Sequence, residues 1–151
     1  MSLSKDINQT RFRSEYAKAM LNILFTNNWL VENTRKHLDR FDLTPQQFNI
    51  LRILRGAGTP LSTLQIRQRM LDKMSDTSRI VDRLVKKELV EKVVCPSDRR
   101  LVDVSISERG RALLADIDVV EPEWEKLLFS ITEEEATQLS LLLDKLRNST
   151  D

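Results

Sequence analysis

Residues 61–106 read LSTLQIRQRMLDKMSDTSRIVDRLVKKELVEKVVCPSDRRLVDVSI, and the changes of period along this stretch decide the fold. Leu61-Ser62-Thr63-Leu64-Gln65-Ile66 opens a short helix over about 63–71. Ser62 is its cap, Gln65 completes a capping box, and Leu61 and Ile66 form a hydrophobic staple. Asp72-Lys73-Met74 is a tight connection, and Ser75-Asp76 starts a second helix that runs to about Lys87. Two short helices joined by such a turn make a helix-turn-helix. The period then switches from helix to strand. Leu89-Val90-Glu91-Lys92-Val93-Val94-Cys95 is β-prone, and Leu101-Val102-Asp103-Val104-Ser105-Ile106 alternates apolar and polar. Turn-rich Pro96-Ser97-Asp98-Arg99-Arg100 lies between them, which predicts a hairpin with a charged tip. A hairpin directly after a helix-turn-helix is a winged helix.

Working outward, Leu43-Thr44-Pro45-Gln46-Gln47-Phe48 is another dense helix start. Thr44 and Gln47 form a capping box, Pro45 suits the first helical position, and Leu43 and Phe48 form a staple. Phe48, Leu51 and Leu54 mark the buried face, and Gly56-Ala57-Gly58 with Pro60 ends the helix. Upstream, residues 8–39 predict one long helix with Phe12, Tyr16, Met20, Ile23, Leu24, Leu30 and Val31 at three- and four-residue spacing. Asn27-Asn28 is the place for a bend. This helix has more apolar surface than a small core can use, so part of it reads as an oligomer interface. Downstream, Ser107 caps a helix from Arg109 to Leu128 with Pro122 as its kink. Thr132-Glu133-Glu134-Glu135 starts a last helix whose stripe is Leu139, Leu142, Leu143 and Leu146. The expected fold class is mainly α with a small β-hairpin wing (α+β). Residues 1–151 form one domain, with 41–115 as the winged helix-turn-helix and 1–40 and 116–151 as flanking helices.

Composition agrees and excludes much else. The 151 residues are 31% charged and 40% hydrophobic, and three Gly and four Pro argue against a sandwich or barrel. No apolar run approaches the ~20 residues of a membrane span, and the N-terminus lacks a signal-peptide core, so the cytoplasm is the expected location. One Cys excludes an intrachain disulfide, and with a single His a Cys/His zinc site is nearly excluded too. A Ser-His-Asp enzyme would have to use His37, in no catalytic setting. The reading is therefore not an enzyme, with no metal and no cofactor. The net charge of +1 hides an asymmetry: residues 1–61 and 62–115 each carry +4, whereas 116–151 carry −7.

The helix 76–87 carries the candidate chemistry. Ile80, Val81, Leu84 and Thr77 face inward, and Arg79, Arg83 and Lys86 share an outward stripe. Ser75, Asp76, Thr77 and Ser78 bring hydroxyls and backbone N–H groups to its start. A recognition helix enters the DNA major groove in this way, N-terminal residues toward base edges. Taken alone, Arg79, Asp82 and Arg83 fit a solvated ion-pair face better; the preceding helix and following wing turn the balance toward DNA. Arg99 and Arg100 at the wing tip can enter a neighbouring minor groove. Asp98 would pair with a nearby Arg and hold the tip in shape.

Ser75–Asp82, Arg83-Leu84-Val85-Lys86-Lys87-Glu88-Leu89-Val90, Asp98-Arg99-Arg100 and Val104-Ser105-Ile106-Ser107-Glu108-Arg109-Gly110, together with Leu43–Phe48, resemble the MarR family of regulators. The resemblance implies a homodimer built from the N- and C-terminal helices, reading a pseudo-palindromic operator in double-stranded DNA. It implies a repressor released by small aromatic ligands or by cysteine oxidation. Family contacts carry over to Ser75, Thr77, Ser78, Arg79 and Arg83, and the wing signature pair to Asp98 and Arg100. One departure is Glu88, where the family usually has Gly; a left-handed Glu costs roughly 1 kcal/mol or more. Cys95 reads as an ordinary strand residue, since family redox cysteines usually lie near the N-terminus. His37 reads as a surface or interface residue. Phe25, Trp29, Phe41 and Phe48 are pocket candidates with simpler roles as core, and Trp124 and Phe129 are candidates for the dimer interface. The competing reading is a winged-helix protein–protein module that has lost DNA binding.

Overall fold

A computed structural model describes residues 2–96 and 98–148, and the side chains of all of these except residues 95 and 99–101. The described residues fall into two compact units, 1–114 and 115–151.

The first unit opens with a one-turn helix, α1 (Leu3–Asp6), followed by α2 (Glu15–Asp39). The expected helix over 8–39 therefore starts seven residues late. Ser14 is extended and its hydroxyl accepts from the Ala17 N–H, which ends the helix on the N-terminal side. Asn8 is left-handed, with φ 51°. No bend interrupts the secondary structure at Asn27-Asn28; α2 has neither Pro nor Gly to break its ladder.

Helices α3 (Pro45–Ala57) and α4 (Thr63–Arg69) both begin with the anticipated reciprocal boxes, Thr44 with Gln47 and Ser62 with Gln65. Gly58 closes α3 at φ 66° with its N–H on the Leu54 carbonyl. The buried face of α3 is Gln47, Ile50, Leu51 and Leu54. Phe48, expected in that face, is only half-buried, and the Arg52 guanidinium lies 5.5 Å from its ring centre.

Helix α5 (Thr77–Lys86) follows, then β2 (Val90–Cys95) and β3 (Asp98–Ile106). The wing holds three strands rather than two. β1 (Leu61–Ser62) pairs with β3 at Leu61–Val104, giving the antiparallel order β1-β3-β2. Two residues are too few for a strand pattern to be read locally, and Leu61-Ser62 also carries the stronger helix-start signal. Asp98, Arg99 and Arg100 belong to β3, not to the connecting turn. The register passes from Val94 opposite Val102 to Cys95 opposite Asp98, so a bulge absorbs the extra residues.

The core of this unit joins Leu38, Ile50, Leu51 and Leu54 with Ile66, Met70, Val81, Leu84, Val90 and Val104, each at most 2% exposed. Burying one such side chain stabilises by about 1.5–3 kcal/mol. Helix α6 (Glu108–Glu125) contains Pro122, gives way to the 3-10 turn Lys126–Leu128, and is followed by α7 (Glu133–Asn148). At the start of α7 the Thr132 hydroxyl accepts from Glu135 N–H and the Glu135 carboxylate from Thr132 N–H, a reciprocal box like those of α3 and α4.

Candidate nucleic-acid interface

The turn between α4 and α5 is pinned from α3. The Asn49 side-chain oxygen accepts from the Leu71 N–H at 2.9 Å, and the Gln46 amide donates to Asp72 Oδ2 at 3.4 Å. The other oxygen of Asp72 accepts from the Met74 N–H at 3.0 Å. The Ser75 hydroxyl, with the Met74 N–H and the Gln46 amide, holds the Asp72 carboxyl below its ordinary range. Beneath the turn, Met70 is buried. The start of α5 is thus fixed relative to α3, although Gln46 and Asn49 lie more than 20 residues away in sequence.

Asp76 caps α5 by accepting from the Arg79 N–H at 3.2 Å. Val81 and Leu84 anchor the helix in the core. On the other side Ser78, Arg79, Asp82, Arg83 and Lys86 are exposed or partly so. Among the described residues, Arg79, Arg83 and Lys86 form no ion pair, whereas Asp82 is drawn to the wing by Lys92 at 2.6 Å. The three cations therefore have no ion-pair partner of their own among the described residues. Ser75 is half-buried beside Asp72.

Thr77 lies on the inward face, as its helical spacing predicts, and not toward DNA, as the family resemblance implies. Its side chain is 4% exposed and its hydroxyl has no hydrogen-bond partner among the described residues. At the first helical position its spacing to Val81 and Leu84 turns it into the core, so only its backbone reaches the helix start. Asp98 is exposed at the beginning of β3. The side chains of Arg99, Arg100 and Cys95 lie outside the described residues, so the expected Asp98–Arg100 pair and the Cys95 environment are not described.

The joint between α5 and the wing is built around Glu88, which adopts φ 58°. Its N–H donates to the Val85 carbonyl and the Leu89 N–H to the Leu84 carbonyl, the paired bonds of a Schellman ending. Ser107 Oγ donates to the Glu88 carbonyl at 2.8 Å and accepts from the Gly110 N–H at 3.0 Å. Arg109 pairs with the Glu88 carboxylate at 2.9 Å. Gly110 has no room for a side chain, since a Cβ would lie 2.3 Å from the Leu89 carbonyl oxygen. On the other flank, Lys87 Nζ donates to the carbonyl of left-handed Asp42 and lies 3.2 Å from its carboxylate. The recognition helix is thus held at both ends. The glycine signal at position 110 is readable in the sequence; the partners Asp42 and Gln46 are not.

Residues 41–101 match the family model described as the MarR family. The HTH-type transcriptional regulator MhqR of Bacillus subtilis is 30% identical over 117 residues, spanning 76% of this chain and 79% of that protein. The chain belongs to the MarR family. It is accordingly a DNA-binding transcription regulator of the helix-turn-helix type, not an enzyme. Two solved structures share its fold. A mutant MarR from E. coli complexed with operator DNA has a TM-score of 0.78 at 23% identity, covering 91% of this chain and 99% of that one. The organohalide-sensing RdhR regulator in its 2,4-dichlorophenol bound form has a TM-score of 0.82 at 23% identity, covering 94% and 87%.

Phe25 and Trp29, the aromatic candidates of α2, are partly exposed; Phe41 is half-buried after that helix, and His37 is half-buried in its last turn. In the second unit Trp124 is half-buried and Phe129 exposed. Among the described residues no helix is long and apolar enough to cross a membrane, and no group of three His, Cys, Asp or Glu could hold a metal.

Proposed function

We propose that this MarR protein is a cytoplasmic homodimer that reads a pseudo-palindromic operator in double-stranded DNA and acts as a ligand-released repressor. Helix α5 occupies the major groove, with Ser78, Arg79 and Arg83 toward bases and phosphates, while the Ser75 hydroxyl, buried beside Asp72, leaves only the backbone of that residue to the interface. Asp98, Arg99 and Arg100 shape and charge the wing that enters the flanking minor groove. The single observation that carries this reading is the outward stripe of Arg79, Arg83 and Lys86, without ion pairs among the described residues, on a helix whose other face is buried. A polyanion is the partner such a stripe fits.

Residues 41–115 are the DNA-reading part, and 1–40 with 116–151 join two protomers. Support comes from the apolar positions left open in one chain: Tyr16, Met20 and Leu24 on α2, and Leu141, Leu142 and Leu146 on α7, are all more than half exposed. The effector would be a small aromatic molecule, by the example of the dichlorophenol-bound relative, recognised by aromatic residues of α2 and α3. By favouring one separation of the two α5 helices over another, it would release DNA.

Gel shifts with a duplex selected from a random pool test the reading. Arg79→Ala should weaken binding and reduce the salt slope by about one for a phosphate no longer neutralised, and Arg100→Ala should weaken it through the wing. Folded Arg79→Ala and Arg100→Ala proteins with unchanged affinity would refute this mode of reading. Failure to select any duplex with salt-dependent affinity would favour a protein partner instead.

A further inference from the structure

Two large apolar side chains stand almost fully in solvent at the turn that leads into the recognition helix. Leu71 is 88% exposed and Met74 93%. A frayed loop would explain such exposure, but this turn is not frayed. The N–H groups of both residues are held, Leu71 by Asn49 and Met74 by Asp72. The Ser75 N–H donates to the Asp72 carbonyl, and Lys73 Nζ reaches back to the Gln68 carbonyl. Met70, one residue earlier, fills the core. The backbone is therefore fixed in a form that sends Met70 inward and presents Leu71 and Met74 outward. Exposed apolar groups gain nothing in the free protein.

The surroundings select the occupant. Arg67, Arg69, Lys73 and Arg79 flank the pair in sequence and are all exposed; they outnumber the exposed carboxylates of the same stretch, Asp72 and Asp76, so the segment carrying the apolar pair is net cationic. An apolar protein partner would have to desolvate those charges. Duplex DNA meets both demands, since phosphates take the cations and the major groove offers one apolar group per A·T pair, the thymine C5-methyl. Met74 lies two residues before the Asp76 cap, at the end of α5 that enters the groove. Its unbranched, polarizable thioether adapts to a methyl group.

We infer that Met74, with Leu71 beside it, is a specificity-determining contact that reads thymine methyl groups in each half-site. The inference rests on the DNA reading proposed above and adds to it a base preference set by residues outside the recognition helix.

Replacing thymine by uracil removes the methyl group and keeps every hydrogen-bonding edge. A duplex selected from a random pool on the wild-type protein is rebuilt with single thymine-to-uracil replacements, and affinities are measured for wild type, Met74→Ala, Leu71→Ala and Met74→Leu. The wild type should lose about three- to fivefold at one or two positions per half-site, the value of one buried methyl group. Met74→Ala should bind the thymine duplex correspondingly less tightly and lose the sensitivity at its position. Met74→Leu should retain it, and Leu71→Ala should leave the Met74 position unaltered while erasing a neighbouring one. Salt-dependent binding with a uracil profile identical in wild type and Met74→Ala overturns this inference and leaves the DNA reading standing, with a protein partner as the remaining use of the spot. Selection of no duplex at all removes both.

Discussion

Thr77 and Glu88 sit at the two ends of α5, and each is set against its local chemistry. Thr77 buries a hydroxyl that finds no partner among the described residues. Leaving such a group unsatisfied costs about 1–3 kcal/mol, whereas an isosteric apolar replacement avoids that cost. Thr77→Val should therefore raise stability by about 1 kcal/mol in urea unfolding, with affinity for a selected duplex unchanged. A large loss of affinity in a folded Thr77→Val protein would restore the side chain to the DNA-reading set. Glu88 holds φ 58°, which costs a residue with a Cβ about 1–2 kcal/mol. Its pair with Arg109 is mostly solvated, at 67% side-chain exposure for Arg109 and 77% for Glu88, and returns little of that. Comparison of Glu88→Gly with Glu88→Ala removes the carboxylate from both and isolates the backbone. Glycine should be the more stable by about 1 kcal/mol; equal midpoints would mean that the left-handed turn relaxes. The departure from glycine is visible in the sequence, as is the conformation required. The hydrogen bond from Ser107 and the ion pair to Arg109 are not, because they arise where the return strand brings residues 107–110 back to the helix end.

At the scale of elements, the helix starts are the most legible feature, because a cap and its box partner lie three residues apart. Thr44/Gln47, Ser62/Gln65 and Thr132/Glu135 all form reciprocal boxes. The N-terminal limit of α2 escapes such a reading because Phe12 continues the apolar spacing beyond Ser14, and spacing alone does not show where a hydroxyl caps. The turn before α5 depends on Asp72, whose carboxyl is held low by the Ser75 hydroxyl, the Met74 N–H and the Gln46 amide. A lowered value means that the ionised form favours the fold. That contribution is complete above the ordinary carboxylate value of 3.8 and is lost as pH falls through the lowered one. Asp72→Asn should therefore lose part of its stability at neutral pH and show a smaller further loss than the wild type between about pH 5 and about pH 2.5. Parallel acid limbs in the two proteins would show that Asp72 does not carry this dependence.

For the whole molecule, the unequal charge and the open apolar faces belong together. The acidic residues are concentrated in 116–151, where charge opposes DNA, and the cations in the first 115 residues. Helix α7 buries none of its described residues in the single chain, and Leu142 is 64% exposed. Leu142→Glu should halve the solution mass from twice 17.6 kDa to that of one chain, and should weaken binding to a two-half-site duplex far more than to a half-site. A monomeric wild type would refute the assembly.

Order along the chain determined the winged helix-turn-helix, because caps, periods and turn residues are local and each acts within a few residues. Local patterning also placed Arg79, Arg83 and Lys86 on one face, since that follows from the helical repeat. Tertiary structure alone decided which buried polar groups go without a partner, as the Thr77 hydroxyl does among the described residues, which residues hold the recognition helix, as Asn49, Asp42 and Ser107 do, and which apolar ones stand outside, as Leu71 and Met74 do. These are outcomes of packing between segments distant in sequence, where burial and hydrogen-bond partners depend on what the fold brings alongside.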